Sequence, residues 1–125
     1  MKSFASTLLA LIFSLTVASA QEPAARVQTI FQNLMHAVQT GDHAAMIING
    51  DERFKAGLTP EMAAAVHTQL ASRMREGYST TFLTAMRQAG YEVYLWKLSF
   101  KDGKDDMLAK VVLNKDGQVA GFWIN

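Results

Sequence analysis

Hydrophobic positions recur every three to four residues in the first half of this chain and every second residue in the remainder. Val27, Ile30, Phe31, Leu34, Met35 and Val38 fall on one stripe of an amphipathic helix over about Ala24 to Thr40. Pro23 stands where a first-turn proline is tolerated, and Gly41 where a left-handed cap is wanted. Asp42 then caps a short second helix through Ala44–Ile48, closed by Asn49-Gly50. The stretch from Asp51 to Leu58 reads as a polar link held to the core by Phe54, Ala56 and Leu58. Thr59-Pro60-Glu61 opens a third helix, whose buried face is read as Met62, Ala63, Val66, Leu70 and Met74, and Gly77 stops it.

From Tyr78 the period falls to two. Tyr78 to Arg87 reads as a first strand, turned by Gln88-Ala89-Gly90 into a second over Tyr91 to Phe100. That second strand has two apolar faces, Tyr91/Val93/Leu95 and Tyr94/Trp96/Leu98/Phe100, which predicts a central position. Lys101–Lys104 and Lys115-Asp116-Gly117 are turns flanking a strand over Met107 to Asn114, and Val119 to Ile124 closes the meander. Gly121 inside the last strand marks a bulge or a close approach by another backbone. The expected fold is α+β: three N-terminal helices packed on a curved four-stranded antiparallel sheet.

The first twenty residues belong to neither pattern. Lys2, the apolar run Leu8–Val17 and Ala18-Ser19-Ala20 form a secretory signal, shorter than a membrane span, with cleavage expected near Ala20/Gln21. The expectation is a signal peptide at 1–20, one domain at 21–125, and a periplasmic or secreted location. Removing residues 1–20 from 125 leaves 105, enough for one packed core. With no cysteine, that core has no disulfides, lipid-modified N-terminal cysteine, thiolate metal site or thiol nucleophile. No later segment is long or apolar enough to anchor the mature chain in a membrane.

Charge changes the picture by exclusion. Eleven basic residues face eleven acidic ones once Lys2 is discarded, so the chain lacks the footprint of a nucleic-acid binder.

The order helix, Gly41-Asp42, short helix, Leu58-Thr59-Pro60-Glu61, long helix, then a meander ending Leu113–Phe122 resembles the nuclear-transport-factor-2-like superfamily. It is most similar to the small secreted bacterial members. The resemblance covers nearly all of residues 24–125 and implies a cone-shaped domain whose sheet and helices can enclose an apolar pocket. It also implies dimerisation through the open sheet face as a common arrangement. The branch that isomerises steroids uses a pocket aspartate base with a tyrosine and a protonated acid as oxyanion donors. That set does not map here, because Asp102, Asp105, Asp106 and Asp116 cluster in turns and the matching strand positions are apolar.

Candidate chemistry is sparse. No nucleophile elbow, phosphate loop, zinc helix or dinucleotide fingerprint is present, and no cofactor or metal site is expected. Asp102–Asp106 is too short for a calcium loop. His36 and His43 read as exposed. His67 lies at the edge of the third helix's apolar face, about 70° from its centre at 100° per residue.

The aromatics carry the remaining signal, since tryptophan and tyrosine suit a pocket or a partner surface. The expected function is a non-catalytic binding or protein-interaction module, with His67, Tyr78, Tyr94 and Trp123 as candidate binding residues. Its partner would be a second copy through the sheet face, a small apolar ligand or another protein. The alternative is a small isomerase- or hydro-lyase-type enzyme in the cone pocket, with His67 as base and Tyr78 or Tyr94 as donor. Trp96 is assigned to the interior. Trp123, near the C-terminus, is assigned to the surface.

Overall fold

The computed structural model describes residues 22–125, so the signal peptide read over 1–20 lies outside the described residues. Four helices precede four strands: α1 (Ala25–Thr40), α2 (His43–Ile47), α3 (Glu52–Gly57), α4 (Pro60–Glu76), β1 (Tyr78–Gln88), β2 (Tyr91–Phe100), β3 (Met107–Leu113) and β4 (Val119–Ile124). The sheet is an open antiparallel meander in the order β1-β2-β3-β4, which makes the expected α+β fold. No helix among the described residues is long and apolar enough to cross a membrane.

Helix boundaries follow local chemistry. Gly41 adopts φ +69° after α1, and its N–H satisfies the Val38 carbonyl that the helix leaves free. Asp42 caps α2 through Ala45 N–H, and Thr59 caps α4 through Met62 N–H with Pro60 at the first helical position. The polar link expected over Asp51–Leu58 is instead a helix. Asp51 accepts from Phe54 N–H at 2.8 Å, a cap that needs no long apolar run to nucleate one turn. Phe54 is buried there and Leu58 half-buried, whereas Ala56, read as an anchor, faces solvent.

The stripe on α1 is buried as its period requires, joined by Ala37. On α4 the phase differs from the one expected. Ala63, Leu70, Ala71 and Met74 are buried, Val66 is half-buried, and Met62 is 53 % exposed. His67 lies within roughly 20° of the centre of this stripe at 100° per residue. The helix turns that histidine toward α1, and Met62 rotates outward.

One core joins helices and sheet. Phe31 of α1 stacks on Trp96 of β2 with ring centroids 3.9 Å apart and planes 8° from parallel. Phe82 of β1 meets the same indole edge-on at 5.5 Å. Leu98, Ala109, Val111, Leu113 and Val119 complete the sheet's contribution. All of these strand residues lie on one face, so Tyr91, Val93 and Leu95 belong to the other, where Arg53 and Phe54 of α3 and Met62 of α4 line a cleft of about 430 Å³ with Tyr91, Val112, Gly121 and Trp123. β2 is interior, as its two apolar faces predict.

Two irregularities shape the sheet. β1 bulges between Phe82 and Thr84, and the β3–β4 register shifts between Val112 and Leu113. The second bulge falls at Ala120, one residue before Gly121. Gly121 answers a different need: the Trp123 indole lies over it, and a Cβ there would run into the ring. The approach is by a side chain rather than by another backbone.

Candidate binding surface and clefts

Alternation along β2 assigns Tyr91, Val93, Leu95 and Lys97 to the open face. Ladder register adds Met86 opposite Val93, Val112 on the other side of Val93, and Lys110 opposite both Leu95 and Trp123. The result is an apolar area around a buried Val93, with Met86 and Tyr91 each 39 % exposed, Leu83 47 % and Trp123 52 %. Lys110 Nζ stands 5.2 Å from the centroid of the Trp123 ring, a cation–π contact on the surface. Lys97 and Lys110 are the charges that the strands themselves place on this face, and Asp51 and Arg53 line the cleft beside Tyr91 and Trp123.

Trp123 and Trp96 divide as expected, one accessible and the other 1 % exposed. The reason for Trp123 is placement rather than fraying. Leu108 and Asn125 exchange backbone hydrogen bonds of 2.6 and 3.0 Å, so β4 is paired to the end of the chain. Its indole is exposed because its pleat position points away from the helices.

The remaining candidates lie apart. His67 Nδ1 donates to the Val38 carbonyl at 2.8 Å, and its ring packs against Gly41. It therefore closes the C-terminal end of α1. His43, read as exposed, is half-buried with Nε2 2.7 Å from the Leu58 carbonyl. Tyr78, at the start of β1, sits beside Phe100 with ring centroids 6.2 Å apart, and burial raises its phenol pKa. Tyr94 is near the opposite end of the sheet's inner face. It stands six positions along β2 from Phe100, the register partner of Tyr78, or about 20 Å of strand. The structure thus brings no two of His67, Tyr78, Tyr94 and Trp123 into one site.

Tyr94 does line a cleft of about 750 Å³ formed by the start of α1, the β1–β2 hairpin and the Leu113–Gly117 turn. Its hydroxyl donates to Glu92 Oε2 at 2.6 Å. Desolvation by burial, reinforced by that bond and by the carboxylate's charge, pushes the phenol up to about 12. Arg26 and Arg87 also line the cleft. Arg26 is committed to the Gly117 carbonyl at 2.6 Å.

A second groove, of about 680 Å³, separates the N-terminal half of α1 from β1. Thr80, Phe82 and Trp96 form its floor, with Gln28, Thr29 and Gln32 along the helix side. Among the described residues, Trp96 Nε1 is the one buried side-chain polar atom without a hydrogen-bond partner. A buried N–H left in this state is a cost that a bound acceptor would remove.

Sequence reasoning missed Leu83, Met86 and Lys110 on the open face, and Glu92 in the cleft. Periodicity does place Lys110 once the register is known, but nothing in the residues announces the bulge that exposes Leu83. No protein-family model matches the chain, and no curated protein matches it.

Proposed function

We propose that the chain is an exported, non-catalytic interaction domain that associates with a second copy of itself through the open face of its sheet. The observation that carries this reading is the grouping of exposed Leu83, Met86, Tyr91 and Trp123 around Val93, on the sheet face opposite Trp96. Isolated surface hydrophobics are ordinary, but a contiguous set on a flat face marks an association site. Strands of 11, 10, 7 and 6 residues, about 4.8 Å apart and rising about 3.3 Å per residue, offer roughly 540 Å² per copy, below the standard of about 800 Å². A weak, concentration-dependent dimer follows. A two-fold arrangement lays apolar surface on apolar surface and sends the Lys97 and Lys110 pairs to opposite ends. The resemblance to nuclear-transport-factor-2-like domains supports the same arrangement, and the leader at residues 1–20 supports a periplasmic or secreted location.

Replacing Met86 with glutamate places an unpaired charge in that face while leaving the helix-side core untouched. Sedimentation should show the wild type associating as concentration rises and Met86→Glu remaining monomeric. An unchanged association in the variant refutes the reading.

The second reading, a small isomerase- or hydro-lyase-type enzyme, is favoured by one observation: Tyr94 and Glu92 form a hydrogen-bonded titratable pair lining a cleft. His67 would take no part, since its Nδ1 is held by Val38 at the far end of α1.

A further inference from the structure

The free edge of β1 and the groove beside it coincide. Lys101 N–H donates to the Gly77 carbonyl at 2.9 Å, which makes Gly77 and Lys101 a bonded pair at the mouth of the β1–β2 ladder. Bonded and non-bonded pairs alternate in an antiparallel ladder. Given the register Tyr78↔Phe100, Ser79↔Ser99, Thr80↔Leu98, Thr81↔Lys97 and Phe82↔Trp96, Ser79 and Thr81 exchange bonds with β2. Tyr78, Thr80 and Phe82 therefore turn their N–H and C=O groups outward. Among the described residues no backbone group pairs with that edge. β4 differs, because its start is paired with the Asn49–Asp51 segment through Val119.

The pleat sends the side chains of Tyr78, Thr80 and Phe82 to the helix-facing side. Thr80 and Phe82 thus present outward backbone groups and, at the same positions, form the groove floor with Trp96. Edge strands in native proteins are commonly blunted by proline, lysine or a covering segment. β1 contains none of these between Tyr78 and the bulge after Phe82.

We infer that β1 accepts an extended segment of another protein as a fifth strand, with alternate side chains of that segment entering the groove between β1 and α1. Backbone hydrogen bonds at Thr80 and Phe82 supply the pairing, and the groove supplies selectivity. Its lining is uncharged apart from Glu22, so it takes apolar or neutral polar side chains. Trp96 lines the groove as well, with its Nε1 buried and without a partner among the described residues. Tyr78 to Phe82 spans five residues, about 16 Å, which sets the minimum length of the added strand. This inference stands independently of the open-face dimer.

The test uses a display library of random linear nine-residue peptides selected on the purified protein, followed by synthesis of the enriched sequences. Binding should survive in Thr80→Ala, which keeps the outward N–H. It should weaken by at least about tenfold in Thr80→Pro, which removes an N–H that β2 does not use. The Trp96 indole N–H resonance should move on binding, and in the wild-type protein Thr80 and Phe82 amide exchange should slow. Those two readings decide the matter if the proline variant does not fold. The inference is overturned if no sequence is enriched, if folded Thr80→Pro binds as well as wild type, or if exchange and the indole resonance are unchanged. It is equally overturned if, without peptide, Thr80→Pro abolishes self-association, for the occupant is then a second copy.

Discussion

Trp96 shows how one residue ties core to surface. Its ring is stacked on Phe31 and met edge-on by Phe82, yet its N–H finds no acceptor among the described residues. Phe31→Ala removes the stacking partner from a fully buried position and should cost about 3–5 kcal/mol, while exposed His36→Ala should cost under about 0.5. Denaturant unfolding of the two variants checks the difference, and equal effects would mean that α1 is turned the wrong way. Tyr94 has a pH signature of its own. Its folded-state pKa, pushed up to about 12, lies above the ordinary phenol value of about 10, so the native state holds a proton that the unfolded chain releases. The stability this contributes is fully present below pH 10 and is lost as pH rises from 10 through 12. Ultraviolet titration should show a phenolate step near pH 12 in wild type that is missing in Tyr94→Phe. A step near pH 10 in that difference would contradict the burial of Tyr94 and its bond to Glu92.

Among the elements, the β1–β2 hairpin carries a visible strain. Ala89 and Gly90 join Gln88 to Tyr91 with φ of +50° and +83°, the signature of a type I′ turn, and alanine tolerates positive φ poorly. Ala89→Asn should stabilise the protein by about 0.5–1 kcal/mol, measured as a shift in denaturation midpoint at constant m. A destabilised variant would show that the turn is not type I′. The same scale explains what the sequence made legible. Glycine stops fixed the ends of α1 and α4, and capping side chains the starts of α2 and α4, because each leaves a residue-type signature. Asp-Gly turns and the two-sided β2 did the same for the sheet. The expected α4 phase counts Met62 in the buried stripe and so leaves His67 at its edge, whereas Met62 is exposed and His67 enters the stripe by bonding the Val38 carbonyl. Phe82 and Met86 are four residues apart, so unbroken alternation places both on one face. The bulge after Phe82 sends Phe82 to Trp96 and Met86 to Val93 on opposite faces. Bulges have no compact sequence code, so the contents of the open face were out of reach even though its β2 members could be named.

At the scale of the whole molecule, the fold separates two kinds of surface. Helices cover the Trp96 face and leave clefts beside α1, while the opposite face is apolar around Val93 and meets α3 and Met62 in a cleft beside Trp123. The candidate site was legible only in outline: Trp123 is on the surface as its position suggested, but it shares no site with His67, Tyr78 or Tyr94. The most direct test of the central claim is sedimentation equilibrium of wild type and Met86→Glu over a wide range of concentration. The account predicts a reversible dimer for wild type and a monomer for the folded variant. Wild type that stays monomeric at the highest concentration, or a variant that dimerises as well as wild type, would contradict it.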